Sequence, residues 1–230
     1  MMLINPYVFV ITGNPLWDNL YAAYKAESNA NDSLGVYNGT AQGGLTYSTG
    51  KDGNAFDFNG TTAYVELPSN SIYFPSNTFS MSFWIYCRAI DSHCIISNFD
   101  NSTGNKGFYI DTTTVNTVTF RFVPFNSVSL GVLSSVGSKS LNTWYNVVIT
   151  VNGTSSKMYV NGSLESSLTL SNTISFFNGC KPIMGGFRFT NLGAIASYKN
   201  MKIDESYIWD IELTSTDVTE LYNTGAGTFY

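Results

Sequence analysis

The chain has 230 residues, with 16 acidic against 11 basic side chains, a net charge of −5, 12% charged residues and 15% aromatics. Charge is about half of the roughly 25% usual in globular proteins and forms no basic cluster, which excludes the electrostatic footprint of nucleic-acid binding. A chain of this size accommodates one large all-β domain, and no shift of composition marks a second.

Residues 1–18 precede any recognisable motif. Tyr7, Phe9 and Ile11 alternate there with Val8 and Val10 in an apolar run that predicts a buried strand. We read this stretch as an N-terminal attachment strand or arm, docked on its own sheet or on a neighbouring subunit, ahead of a domain at 19–230. It has no Lys or Arg before it and is broken by Pro6, so it is neither a secretion signal nor long enough to span a bilayer.

From Leu20 a short strand leads into a loop with Asp32, Ser33, Gly35, Asn38, Gly39 and Thr40, residues that bond their own backbone and reverse the chain. Residues 55–67 predict two short strands about the Asn59-Gly60 turn, with Phe56 and Phe58 on one face. Over Phe79 to Arg88 alternation is strict. Phe79, Met81, Phe83, Ile85 and Cys87 form the inward set, while Ser80, Ser82, Trp84, Tyr86 and Arg88 face the other way. Trp84 and Tyr86 therefore either pack against further structure or line an exposed face.

Strands at 94–98, 107–112, 117–122 and 128–133 keep a rhythm of about ten residues, the spacing of a sandwich or barrel. Residues 140–162 predict a hairpin: Val147, Ile149 and Val151 lie on one side and Val148 and Thr150 on the other, with turns at Asn152-Gly153 and Asn161-Gly162. Strands at 164–170 and 182–189 follow, separated by a loop that exposes Phe176 and Phe177. After a strand within 201–213, Thr214 and Asp217 spell a capping box, Val218, Leu221 and Tyr222 an apolar stripe, and Gly225 a stop: one short C-terminal helix.

Little here supports a reaction centre. His93 is the only histidine, no nucleophile elbow occurs, and Asp204 and Glu205 are neighbours in a strand, which puts them on opposite faces. Cys87, Cys94 and Cys180 read as buried free thiols; a zinc site built from them with His93 is the sharper alternative, but the Cys-x-x-Cys knuckle is missing. Six Asn-x-Ser/Thr sequons, at Asn31, Asn38, Asn59, Asn101, Asn152 and Asn161, mostly coincide with turns.

Four phrases together resemble one family: the loop around Asp32 to Thr40, the Phe58-Asn-Gly to Tyr64-Val-Glu-Leu67 segment, the Trp144 to Gly162 hairpin, and Ile203-Asp-Glu followed by Leu213-Thr-Ser-Thr-Asp-Val-Thr-Glu-Leu-Tyr-Asn223. They are similar to the laminin-G-like jelly-roll domains of the concanavalin A-like lectin and glucanase superfamily, of the phage or bacterial type. The resemblance spans residues 20–225 and implies an antiparallel jelly-roll β-sandwich with one short C-terminal helix.

It also implies a calcium ion between the opening loop and the Ile-Asp strand, held by Asp32 and Asp204 with Glu27. The alternative is that Asp32 stabilises its own turn and Asp204 bonds backbone. Sugar contacts on such a fold fall to Trp84, Tyr86 or the loop aromatics Tyr73, Phe74, Phe176 and Phe177. Low charge, the apolar start and no secretion signal point to a non-catalytic virion surface component, a phage head or tail decoration protein within a larger assembly. Its N-terminal strand would attach it to other virion proteins, and it would contact host glycans. The alternative is a carbohydrate-binding adhesin at a bacterial or viral surface; a glycan hydrolase ranks last, since the paired carboxylates are absent.

Overall fold

The period-two segments do become strands. The computed structural model describes residues 15–69, 76–113, 118–126, 130–190 and 193–230. Its strands are β1 (Leu20–Tyr24), β2 (Thr40–Gln42), β3 (Thr46–Thr49), β4 (Asn54–Asn59), β5 (Tyr64–Glu66), β6 (Thr78–Cys87), β7 (Cys94–Asp100), β8 (Lys106–Thr112) and β9 (Phe120–Asn126). They continue as β10 (Leu133–Ser134), β11 (Trp144–Asn152), β12 (Ser155–Val160), β13 (Ser163–Thr169), β14 (Ile183–Met184), β15 (Phe187–Arg188), β16 (Ile195–Ala196) and β17 (Asn200–Trp209), and helix α1 (Ser215–Tyr222) closes the chain.

One sheet has eight strands, ordered β13-β12-β11-β6-β17-β4-β3 with β1 paired to β17; a second has seven, ordered β10-β9-β8-β7-β14-β5-β2. Strand pairs within both sheets are antiparallel, and the inward faces share one core. Phe79, Phe83, Ile85, Val147, Ile149 and Ile203 from the first sheet meet Phe108, Ile110, Phe120 and Phe122 from the second. Each phenylalanine in this layer removes about 1.5–3 kcal/mol worth of apolar surface from water, so the sandwich is held chiefly by its middle. This is the expected jelly-roll sandwich. Among the described residues no helix is long and apolar enough to cross a membrane.

The 140–162 hairpin stands as read: Val147 pairs with Val160 and Asn152 with Ser155. The turn into β13 has Asn161 and Gly162 at φ of 50° and 77°, the positive pair that a tight two-residue turn requires. The expected strand at 182–189 instead breaks into β14 and β15. Gly185, at φ 89°, carries the break: a Cβ there would lie 2.3 Å from the ring of Phe58.

Helix α1 covers the outer face of the first sheet. Thr214 and Asp217 complete the capping box, and Val218 and Leu221 join Val148, Tyr159, Tyr207 and Trp209 in a second apolar cluster. The predicted N-terminal strand at residues 7–11 lies outside the described residues. Pro15–Trp17 form a 3₁₀ turn whose Leu16 carbonyl accepts the Trp209 indole N–H at 2.8 Å, and Trp17 stacks on Trp209 with centroids 6.0 Å apart.

Candidate functional site

The outer face of the seven-stranded sheet bears an aromatic cluster. Alternation sends Phe108 and Ile110 of β8 and Phe120 and Phe122 of β9 into the core, which leaves Tyr109, Asp111, Arg121, Val123 and Phe125 on the opposite side. Phe99 of β7 and Phe125 of β9 both pair across Gly107, and their rings meet over it at 4.8 Å. Gly107 is needed twice. Its φ is 90°, and a Cβ would lie 1.8 Å from the Asn98 carbonyl oxygen.

The β15–β16 hairpin folds over this floor. The Asn101 amide donates to the Phe189 carbonyl (3.0 Å) and the Ser97 hydroxyl to the Gly186 carbonyl (3.1 Å), fixing the hairpin beside β7. Phe187 then sits 5.3 Å from Phe99 and 5.4 Å from Tyr109, and Phe189, 55% exposed, packs edge-on against Phe187 at the rim. Between floor and hairpin lies an open cavity of about 360 Å³ whose polar lining includes Ser92, Asn101, Asn105, Asp111 and Ser197. Ligand sites are of this kind: a mostly apolar, concave surface with a few polar groups. Arg121 grips Asp111 through Nε at 2.9 Å and Nη2 at 2.5 Å. Burial pushes the Asp111 carboxyl up, and Arg121 acts against that.

None of the expected ligand residues that are described lines this cavity. Trp84 is 3% exposed, sandwiched between the Tyr222 ring (6.1 Å) and the Lys51 ammonium (4.7 Å), so the helix closes it to any ligand. Tyr86 is half-buried on the outer face of the eight-stranded sheet, 5.4 Å from Trp144 and under Lys202. The loop aromatics Phe176 and Phe177 are half-buried: Phe176 leans on Phe79 and Phe108 of the core, and Phe177 lies under the Lys106 ammonium. Tyr73 and Phe74 lie outside the described residues.

The acidic residues separate into two places. Asp32 is spent on its own loop: its carboxylate accepts from the amides of Ala23, Leu34, Val36 and Tyr37. Asp204 accepts from the amides of Lys51, Asp52 and Glu205, and Glu27 from that of Asn54. Asp204 and Glu205 do not sit on opposite faces, because the strand is bulged. β17 pairs with β4 up to Ile203 and with β1 from Ser206, and between them Glu205 takes φ 48° and breaks the alternation.

Both carboxylates are buried there. Burial raises Asp204 to about 7, and burial together with Asp204 raises Glu205 to about 8. Gly50 and Gly53 leave room for this group, since a Cβ on either would strike Asp204 or Glu27. Oxygen-only, anionic donors are those calcium takes. Among the described residues, however, no three Asp, Glu, His or Cys side chains could hold a metal together, so an ion here would rely on main-chain carbonyls and water. The three cysteines are buried free thiols, with burial pushing Cys87 to about 11 and Cys180 to about 12.

Comparison with known proteins matches residues 59–219 to the laminin-G-type profile described as the concanavalin A-like lectin/glucanases superfamily, and the chain belongs to that family. No curated protein matches. Among solved structures, domain 4 of AbnA, a GH43 extracellular arabinanase from Geobacillus stearothermophilus, in complex with arabinotriose, is 20% identical, with a TM-score of 0.69 over 87% of this chain and 97% of that one. The binding domain of botulinum neurotoxin serotype D is 18% identical, with a TM-score of 0.71 over 92% of this chain and 53% of its own. That of Paraclostridial Mosquitocidal Protein 1 is 21% identical, with a TM-score of 0.71 over 91% and 53%. The chain spans about half the length of these toxin domains. At such identities the likeness shows the shared fold.

Proposed function

We propose that the chain is a non-catalytic carbohydrate-binding module whose site is the cavity between β7, β8, β9 and the β15–β16 hairpin. The observation that carries this reading is the aromatic floor and wall of Phe99, Tyr109, Phe125, Phe187 and Phe189 beside hydroxyl, amide and carboxylate groups. Flat rings accept the C–H faces of a sugar, and the polar rim meets its hydroxyls. The arabinanase domain, solved with arabinotriose, lends support from the same fold. Among the described residues one carboxylate, Asp111, lines the cavity, whereas retaining cleavage needs two about 5 Å apart; this supports binding over hydrolysis.

The virion-surface setting, with attachment through residues 1–18 to a larger assembly, rests on composition and the apolar start alone. A glycan-binding phage component and a surface adhesin would use the cavity in the same way.

The test is a glycan array followed by calorimetry on the chain and on Phe187→Ala. We expect a ligand bound by the parent, at least tenfold weaker binding by the variant, and closely similar melting curves. Equal binding by both would move the site elsewhere.

Calcium is the second part of the proposal, between Glu27 and Asp204 and without Asp32. It is supported by two buried carboxylates, Asp204 and Glu205, raised chiefly by burial, with the charge of Glu27 adding to the first and that of Asp204 to the second. On this reading calcium at pH 8 raises the melting temperature and chelator reverses it; an unchanged temperature removes the ion.

A further inference from the structure

The chain contains five Asn-Gly pairs, beginning at Asn38, Asn59, Asn152, Asn161 and Asn178. Such a pair is open to reaction with itself, because glycine has no Cβ to keep the preceding side chain away from its backbone nitrogen. The reaction needs a free side-chain amide and a free glycine N–H.

Four of the pairs are held. The Asn38 side-chain oxygen accepts from the Asp32 amide at 3.1 Å, and the Gly39 N–H donates to the Ala30 carbonyl at 2.9 Å. Asn59 accepts from the amides of Thr61, Thr62 and Ala63 and donates to the Thr62 hydroxyl. Asn152 donates to Glu212 at 2.9 Å while the Gly153 N–H donates to the Asn77 carbonyl at 2.8 Å. Asn161 accepts from the Asn146 amide at 2.9 Å, and the Tyr222 ring covers Gly162, 3.1 Å from where a Cβ would stand. Swinging any of these side chains onto its glycine nitrogen breaks the bonds and strands their partners.

Asn178 differs. It is exposed, and the Cys180 amide donates to the Phe177 carbonyl at 3.2 Å, closing a β-turn around Asn178 and Gly179 with the glycine at φ 90°. Among the described residues nothing bonds the Asn178 side chain or the Gly179 N–H. A Cβ on Gly179 would meet nothing within 4 Å, so no neighbour covers the turn. Its flanks are anchored, since the Ser175 amide donates to Phe125, the Ser175 carbonyl accepts from Gly107, and Cys180 is buried; the turn between them faces water.

We propose that Asn178-Gly179 is a site of self-modification, the one Asn-Gly pair the fold leaves reactive. The Gly179 nitrogen gives its proton to hydroxide and attacks Cγ of Asn178. A C–N bond forms there as the side-chain nitrogen leaves, with a proton from water, as ammonia. A second water then opens the cyclic imide at either carbonyl, giving aspartate or isoaspartate. Each product replaces a neutral amide with a negative carboxylate, and isoaspartate also lengthens the main chain by one carbon.

The experiment holds the full chain at pH 9, folded and in urea, and follows each pair by peptide mapping and isoaspartate labelling with an isoaspartate-specific methyltransferase. We expect Asn178 to convert at least tenfold faster than any other pair in the folded chain, and all five to convert within threefold of one another in urea. Asn178→Gln, whose longer side chain closes the ring poorly, should lose the first acidic species seen on isoelectric focusing. Another pair converting as fast as Asn178 in the folded chain would overturn the assignment, as would an acidic species that forms in Asn178→Gln at the parent's rate. A tenfold lead for Asn178 that persists in urea would trace the reactivity to local sequence and overturn the role of the fold. The parent's map decides the central claim even where the variant folds poorly.

Discussion

Glu205 combines a left-handed backbone at φ 48° with a carboxyl buried next to that of Asp204. Glu27 and Asp52 add negative charge to this group, and Lys25 opposes it. In the unfolded chain the two acids titrate near 3.8 and 4.5; in the folded protein they titrate near 7 and 8. Between these ranges the folded state binds more protons than the unfolded one, so the stability linked to the pair is full below about pH 4 and is lost as pH rises through 7 and 8. We expect the melting temperature to fall from pH 6 to pH 9. Glu205→Gln should flatten that slope and raise the melting temperature at pH 9, at about 2–4 °C per kcal/mol recovered. Melts of both chains at pH 5, 7 and 9 check this, and calcium, by neutralising the same group, should flatten the parent's slope as the variant does. Counting in twos along Ile203-Asp-Glu-Ser placed the acids on opposite faces. The bulge arises where β17 changes partner from β4 to β1, and a change of partner is not written in the strand that makes it.

Elements differ in how locally they are specified. Helix α1 has eight residues, too few to be stable alone, yet its start was legible because the Thr214 to Asp217 box is made by neighbours in sequence; its left-handed stop falls at Asn223, two residues before the expected Gly225. The β11–β12 hairpin was legible for the same reason. The cavity was not: its floor comes from three strands and its wall from a hairpin nearly ninety positions after Phe99. Both faces of β8 and β9 carry aromatics, so alternation alone could not tell Phe108 and Phe122, which fill the core, from Tyr109 and Phe125, which do not. The one available signal was the Asp111 and Arg121 pair, charges set where a core face would exclude them. Gly107 is the element-scale test. Replacing it with Ala forces a side chain onto φ 90° and against the Asn98 carbonyl. We expect a loss of about 2–3 kcal/mol in denaturant unfolding, together with loss of sugar binding, as β7 and β8 move apart beneath the rings.

At the scale of the whole molecule the layers run from helix α1 through the eight-stranded sheet, the shared core and the seven-stranded sheet to the aromatic cavity. All four tryptophans belong to the first half of that series: Trp84, Trp144 and Trp209 are on strands of the eight-stranded sheet, and Trp17 stacks against its outer face. The cavity is walled by phenylalanine and tyrosine instead. Indole emission is thus a reporter of one side of the protein only. A sugar titrated into the chain should leave the emission maximum in place while tyrosine absorbance near Tyr109 responds, whereas loosening of the helix cap should shift the maximum to the red. A red or blue shift on adding sugar, with the melt unchanged, would put the ligand on the indole-bearing side.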